Sequence, residues 1–434
     1  MPIEQVPGHE DSGYDLVCFD KRGDERKENG RFFSEEVLRA VQHDGITDVF
    51  VLSHGWKGDV PAARDQYGRW IGAMLANADD IAAMAANRPG FKPLFVGVHW
   101  PSLPWGAEDI AGPVSFALGD DGGRSIIDDA ADALVDTPKA REALATIFEY
   151  AAKPGDPPDI PDTVRQAYLQ LNRELELGSG DLGDKPDDDR APFDPDRAYC
   201  QAKNDIVSFG AGGGVGKAIL SPLVQLSFWT MKKRAREVGE SGVATFVRAI
   251  MKASPPQTRL HLMGHSFGCI VVAAAAVGRG TDLPRPVSSM VLVQGALSLW
   301  SFAPKIALDG GRPGYFSALS GKVAGPIVTT QSSHDSAVGR LYPLAAGIAD
   351  QVALDLPDFP RYGAVGTFGA QGLSPDATGM AMPTLGQAHD YRPRCVYNLD
   401  ASTYICEGDG LGGAHNDIAK PEVAHAVWRA AAAG

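Results

Sequence analysis

A chain of 434 residues, 44% hydrophobic and 22% charged, carries enough apolar surface for a sizeable core, which excludes global disorder. Its formal net charge of -14 opposes long-range attraction to phosphate backbones, so nucleic acid is excluded as a partner. The five cysteines, Cys18, Cys200, Cys269, Cys395 and Cys406, are scattered and odd in number and lack CxxC spacing. They signal neither a disulfide framework nor a zinc site, and a reducing cytoplasm is the expected location.

The N-terminal stretch MPIEQVPGHEDSGYD lacks the basic start and apolar run of a signal peptide. A first strand is predicted over Tyr14 to Phe19, then a helix over Ser34 to His43, with Ser34 as N-cap and Glu35 and Glu36 suiting the positive end of its dipole. The apolar run Asp48 to Ser53 reads as a buried strand that ends on His54, Gly55 and Trp56. Helical spacing continues over Ala62 to Ala85, followed by a strand over Leu94 to Trp100.

Between Pro101 and Met231 the texture becomes acidic and rich in proline and glycine around one clear helix, Thr163 to Leu175, and this reads as an insertion over the sheet. The run Asp187, Asp188, Asp189 fits no calcium-loop spacing and reads as a solvated loop. Gly210 to Ala218 looks superficially like a phosphate loop, but Ala211 replaces its first glycine and Ala218 its hydroxyl residue, so no nucleotide site is expected. The apolar stretch Ala218 to Met231 is too short and too interrupted to span a bilayer. Lys232, Lys233, Arg234 and Arg236 follow it; peripheral membrane contact is conceivable, but a partly buried connecting helix over Lys232 to Lys252 is preferred.

Beyond it, strands over Arg259 to Gly264, Ser289 to Gln294, Pro326 to Gln331 and Arg394 to Leu399 alternate with helices over Cys269 to Gly278 and Pro421 to Ala433. The alternation predicts an α/β fold with a mostly parallel central sheet flanked by helices. Residues 1–100 and 232–434 form its core, and 101–231 form a large cap-like insertion.

The chemistry gathers at Gly264, His265, Ser266, Phe267 and Gly268, a G-x-S-x-G pattern between an apolar strand and an alanine-rich helix. In that context the two glycines relieve crowding at a sharp turn that exposes the serine at a helix N-terminus. A serine hydroxyl is a weak nucleophile until a base takes its proton and a carboxylate orients that base. His415, on a glycine-rich loop before the last helix, is the predicted base, since His425 lies within a helix and His265 within the turn itself. Asp335, at the polar end of a buried strand, is the predicted acid, ahead of Asp400 and Asp409. Its other reading is an N-cap for Ser336 to Leu344, and one carboxylate is not expected to serve both roles. His334 with Asp335, and His415 with Asp417, lack HExxH spacing and a third histidine, so no metal is expected.

With its residues in the order Ser266, Asp335, His415, the chain resembles the α/β-hydrolase superfamily at SHGW (53–56), GHSFG (264–268), SSHD (332–335) and GAHND (413–417). The resemblance covers about two thirds of the chain and leaves the insertion unmatched. It implies a Ser-His-Asp mechanism through an acyl-enzyme without a cofactor, and an oxyanion hole formed by the backbone N–H groups of Trp56 and Phe267. His54 either belongs to that site or caps a neighbouring carbonyl. The expected activity is hydrolysis of a small-molecule or lipid-like carboxylic ester, with His54, Trp100, Trp105 and Trp300, beside Trp56 and Phe267, lining the substrate pocket. A peptidase, amidase or acyltransferase would use the same triad, and a non-catalytic binding module would share the fold.

Overall fold

The computed structural model describes residues 4–27, 30–56, 59–102, 125–155, 157–208, 218–278, 282–342, 359–373, 377–408 and 412–434, with the side chains of 204–208, 340 and 341 set aside. Trp105, Asp409 and the phosphate-loop look-alike at 210–217 lie outside the described residues. Apolar runs buried on both faces at its centre build a nine-stranded sheet: β1 (Glu4–Val6), β2 (His9–Cys18), β3 (Asp48–Ser53), β4 (Pro93–His99), β5 (Arg259–His265), β6 (Ser289–Val293), β7 (Ile327–Gln331), β8 (Ala377–Ala381) and β9 (Val396–Asp400). The order is β1-β2-β4-β3-β5-β6-β7-β9-β8, and every neighbouring pair is parallel except β1 with β2.

Every residue of β3 and β6 is buried. Val49 and Val51 of β3 face one apolar core, whereas Phe50 and Leu52 face the other. The first core is closed by helices that include α1 (Phe33–His43), the second by α2 (Val60–Ala76), α3 (Ala78–Asn87) and the C-terminal helix Pro421–Ala433, which contribute Trp70, Met84 and Trp428. No helix among the described residues is long and apolar enough to cross a membrane.

Several elements depart from the sequence expectation for local reasons. The helix expected over Ala62 to Ala85 is broken at Asn77, whose backbone leaves the helical region and whose side-chain amide donates to the Pro421 carbonyl. Ser34 lies inside α1, not at its cap, and bonds the Glu25 carboxylate. The stretch 125–208 holds not one helix but four: α4 (Ile126–Ala133), α5 (Pro138–Ala151), α6 (Asp162–Glu174) and α7 (Pro195–Ser208). Helix α8 (Ser221–Val238) runs through the expected boundary at 231/232, and a π-helical turn at Gly239–Val243 joins it to α9 (Ala244–Ala253).

The acidic run at 187–189 is not a solvated loop. Asp187 and Asp189 are fully buried. Asp187 takes a two-pronged ion pair from Arg236 of α8 at 2.6 and 3.0 Å, and Arg236 also reaches Glu240 at 3.1 Å. Asp189 accepts from the Gly183 N–H and the Tyr342 hydroxyl, to which Lys232 donates at 2.8 Å. Lys232, Arg234 and Arg236 are therefore interior charges of a packed helix, which removes them as a membrane-facing patch. Burial lowers the Lys232 ammonium to about 7.

Candidate active site

In a parallel sheet all strands end on the same edge, and a crevice opens where the strand order reverses. Here the chain leaves β3 for β4 on one side and later returns to β5 on the other, so that reversal lies between β3 and β5. Paired across the sheet, Ser53, Gly264, Leu292, Thr329 and Asn398 form one row near that edge. The segments that follow carry His54 to Trp56, Ser266, Gln294, Asp335 and, after β9, His415.

Ser266 stands between β5 and helix α10 (Gly268–Val277) with a backbone φ of +55°, a region that L-residues enter only under strain. The strain is held by backbone bonds: Ser266 N–H donates to the Val293 carbonyl, and its own carbonyl accepts from Cys269 and Ala296. The flanking glycines are required by space. A Cβ at Gly264 would lie 2.6 Å from the Cys269 backbone, and one at Gly268 2.1 Å from the Ser53 carbonyl. The turn after β3 lies against the serine, since a Cβ at Gly55 would be 2.6 Å from that of Ser266. Phe267, the N-cap residue of α10, has an N–H outside the helical ladder.

His415 Nε2 lies 2.8 Å from Ser266 Oγ, and His415 Nδ1 lies 2.7 Å from Asp335 Oδ2. A carboxylate only accepts, so Nδ1 carries the ring proton and Nε2 is free to accept from the serine hydroxyl. The acid and base loops are tied directly: Asp335 and Gly413 form a backbone bridge, and Ala414 N–H donates to the His334 carbonyl. Gly413, at φ +55°, passes so close that a Cβ would lie 2.4 Å from the His334 carbonyl oxygen.

Asp335 makes both contacts that the sequence reading treats as alternatives. Its Oδ1 accepts from the Val338 N–H at 3.1 Å, as an N-cap does, while Oδ2 faces His415. A carboxylate has two oxygens with separate lone pairs, and the two duties use different ones. Oδ2 also accepts from the Gln294 side-chain amide at 2.8 Å. Gln294 was not singled out from the sequence; the only signal was its place at the end of a buried strand before Gly295. It is fully buried at φ +47°, and Thr330 Oγ1 accepts from its backbone N–H and orients its side-chain amide by donating to Oε1. Asp400 is exposed and caps Ser402 instead.

The residues expected to line a pocket are placed differently. His54 is a core residue. Its Nδ1–H donates to the Gly55 carbonyl at 2.8 Å, and its Nε2 accepts from the Trp100 N–H, with His99 Nδ1 at 3.1 Å. Burial, with His99 beside it, lowers its pKa to about 3, so it is neutral. Trp100 is fully buried and stacks on that ring. Trp300 is buried with its indole N–H on the Arg361 carbonyl. Trp56 and Phe267, also expected there, pack with Phe228 of α8, with ring centroids 5.1 to 5.8 Å apart; Trp56 is partly exposed and the two phenylalanines are buried. The sequence carries no sign of Phe228, because residues up to 231 read as a cap-like insertion apart from the core. No group of three or more metal-ligating side chains occurs among the described residues.

Comparison of the chain with protein-family models, curated proteins and solved structures finds no match in any of the three. The functional reading therefore rests on the geometry.

Proposed function

We propose that this chain is a serine hydrolase of the α/β-hydrolase type that cleaves a carboxylic ester through an acyl-enzyme. The observation that carries the reading is the continuous chain Ser266 Oγ, His415 Nε2, His415 Nδ1, Asp335 Oδ2, with links of 2.8 and 2.7 Å, begun by a serine in strained backbone at the head of a helix.

In the reaction Ser266 Oγ attacks the ester carbonyl carbon while His415 Nε2 takes its proton. Negative charge developing on the carbonyl oxygen is stabilised by the N–H groups of Trp56 and Phe267. The C–O bond to the alcohol breaks, and His415 returns the proton to the departing alkoxide. Water, deprotonated by His415, then attacks the acyl carbon, the bond to Ser266 Oγ breaks as His415 returns the proton to that oxygen, and the acid is released. Trp56, Phe228 and Phe267 favour an apolar acyl or alcohol group of a small-molecule or lipid-like ester. Helices α4 to α7 act as a cap in this reading, and free thiols at exposed Cys200 and Cys406 suit a cytoplasmic protein.

The test is covalent labelling with a fluorophosphonate probe beside turnover of p-nitrophenyl esters and peptide anilides. The wild type is expected to label and to hydrolyse esters, and Ser266→Ala to do neither. Labelling that persists in Ser266→Ala, or never occurs in the wild type, would overturn the assignment; cleavage of anilides alone would move it to a peptidase or amidase.

A further inference from the structure

The residue just before the nucleophile also contacts the base. His265 Nε2 lies 2.9 Å from the His415 carbonyl oxygen, and His265 Nδ1 lies 2.9 Å from Gln66 Nε2 on α2. The two imidazoles sit with centroids 4.9 Å apart. We infer that His265 is a positioning residue for His415, held as its neutral Nε2–H tautomer by the side-chain amide of Gln66; the inference rests on the hydrolase reading above.

The proton assignment follows from what each partner can do. A carbonyl oxygen only accepts, so His265 Nε2 must carry a proton. A neutral ring then leaves a lone pair at Nδ1, which requires a donor, and the Gln66 amide presents N–H there. Burial agrees, lowering His265 to about 3 with the neighbouring His415 adding to the effect.

The consequence is mechanical and electrostatic. His415 is fixed at three points: Nδ1 by Asp335, the loop beside it by Ala414 N–H on His334, and its carbonyl by His265. Those anchors leave Nε2 as the one ring nitrogen directed at Ser266 Oγ. During acylation His415 becomes a cation, and a second cation at His265 would oppose it across 4.9 Å. By donating to Nδ1, Gln66 blocks that second protonation.

The test combines probe kinetics with ¹⁵N-histidine spectroscopy on the full chain. His265→Phe, which keeps a ring but removes the donor, is expected to slow the maximal inactivation rate by a fluorophosphonate about 10- to 100-fold, the scale of a misplaced catalytic group. The half-saturating probe concentration should stay within about twofold, because the ground-state contacts are untouched. His265→Gln, which carries an amide N–H to the same place, should recover most of the rate. Gln66→Met, at a half-buried position tolerant of change, should slow inactivation about 3- to 10-fold, a single neutral hydrogen bond's worth. In the wild type at pH 7 the His265 signals should show a proton on Nε2 alone; in Gln66→Glu, whose carboxylate demands an Nδ1–H, both nitrogens should be protonated. A His265→Phe enzyme reacting at the wild-type rate, a His265→Gln enzyme as slow as His265→Phe, or an Nδ1–H tautomer in the wild type would overturn the inference. Failure of the wild type to label would count against the hydrolase reading alone, since the tautomer spectra decide the His265 contact by themselves.

Discussion

At the scale of single residues, the candidate site is a set of polar atoms each given one job by its partners. Gln294 shows this most clearly. Its amide is oriented by Thr330 and spends its N–H on Asp335 Oδ2, the oxygen that also holds His415. Gln294→Met should retain volume while leaving the Thr330 hydroxyl proton and one lone pair of Asp335 without their partner. The expected cost is about 1–3 kcal/mol of stability, the penalty for buried polar groups left unsatisfied. The catalytic effect should fall on kcat, not KM, because the lost contact positions the base. Urea unfolding and ester kinetics on the one variant check both; an unchanged kcat would show that Asp335 is held in place without Gln294. Asp335→Asn removes the acceptor itself and presents an N–H to His415 in its place, so a fall in kcat of about 10⁴ is expected. Ser266, His415 and Asp335 were legible in the sequence because serine, histidine and aspartate announce their chemistry. Gln294 was not, because a glutamine at a strand end carries no signal until its partners are known.

At the scale of elements, what the sequence disclosed depended on how each segment is buried. Asp48–Ser53 and Ser289–Val293 were readable because burial on both faces demands an unbroken apolar run. Edge strand β8, with the sequence ATGMA and mostly exposed, has no such demand and was missed. The acidic segment 187–189 misled for the opposite reason: its carboxylates look solvated, but Asp187 is matched by Arg236 of α8, far away in sequence, and Asp189 by the Tyr342 hydroxyl, to which Lys232 of α8 donates. That pairing carries a prediction. Arg236 is 5% exposed and Asp187 not at all, so Arg236→Met would leave Asp187 with only Lys185, at 3.7 Å, and would take the cation from buried Glu240. The expected loss is about 3–5 kcal/mol, the usual result of removing one partner from a buried pair. Asp187→Asn together with Arg236→Met removes both charges and should recover much of it. A double-mutant cycle by chemical denaturation measures the difference, and equal stabilities for the single and double variants would show that the pair does not fasten 178–190 to α8.

At the scale of the whole molecule, the reversal of strand order between β3 and β5 brings together at one sheet edge groups separated by more than three hundred residues. The same packing buries neutral histidines around that edge and beneath it. Burial lowers His54 and His265 to about 3 and His99 and His389 to about 4, and it lowers His261 as well. Unfolded, each would protonate near 6.5. Between pH 6.5 and 4 the unfolded chain therefore binds more protons than the folded one, and stability must fall as the solution is acidified. Asp15 works the other way, because burial raises its carboxyl to about 6 and the folded state holds that proton more tightly over about the same range. Asp189, whose carboxyl burial also raises, acts with Asp15, and five groups against two leave the histidines dominant, each contributing at most about 1.4 kcal/mol per pH unit. The urea midpoint is accordingly expected to drop steeply from pH 7 to pH 5. His99→Gln, which cannot protonate, should make the drop shallower, whatever it does to the midpoint at pH 7. A midpoint independent of pH over that interval would mean that these histidines are not held neutral by the fold, and the assignment of His54 and His265 as fixed neutral donors beside the nucleophile would fall with it.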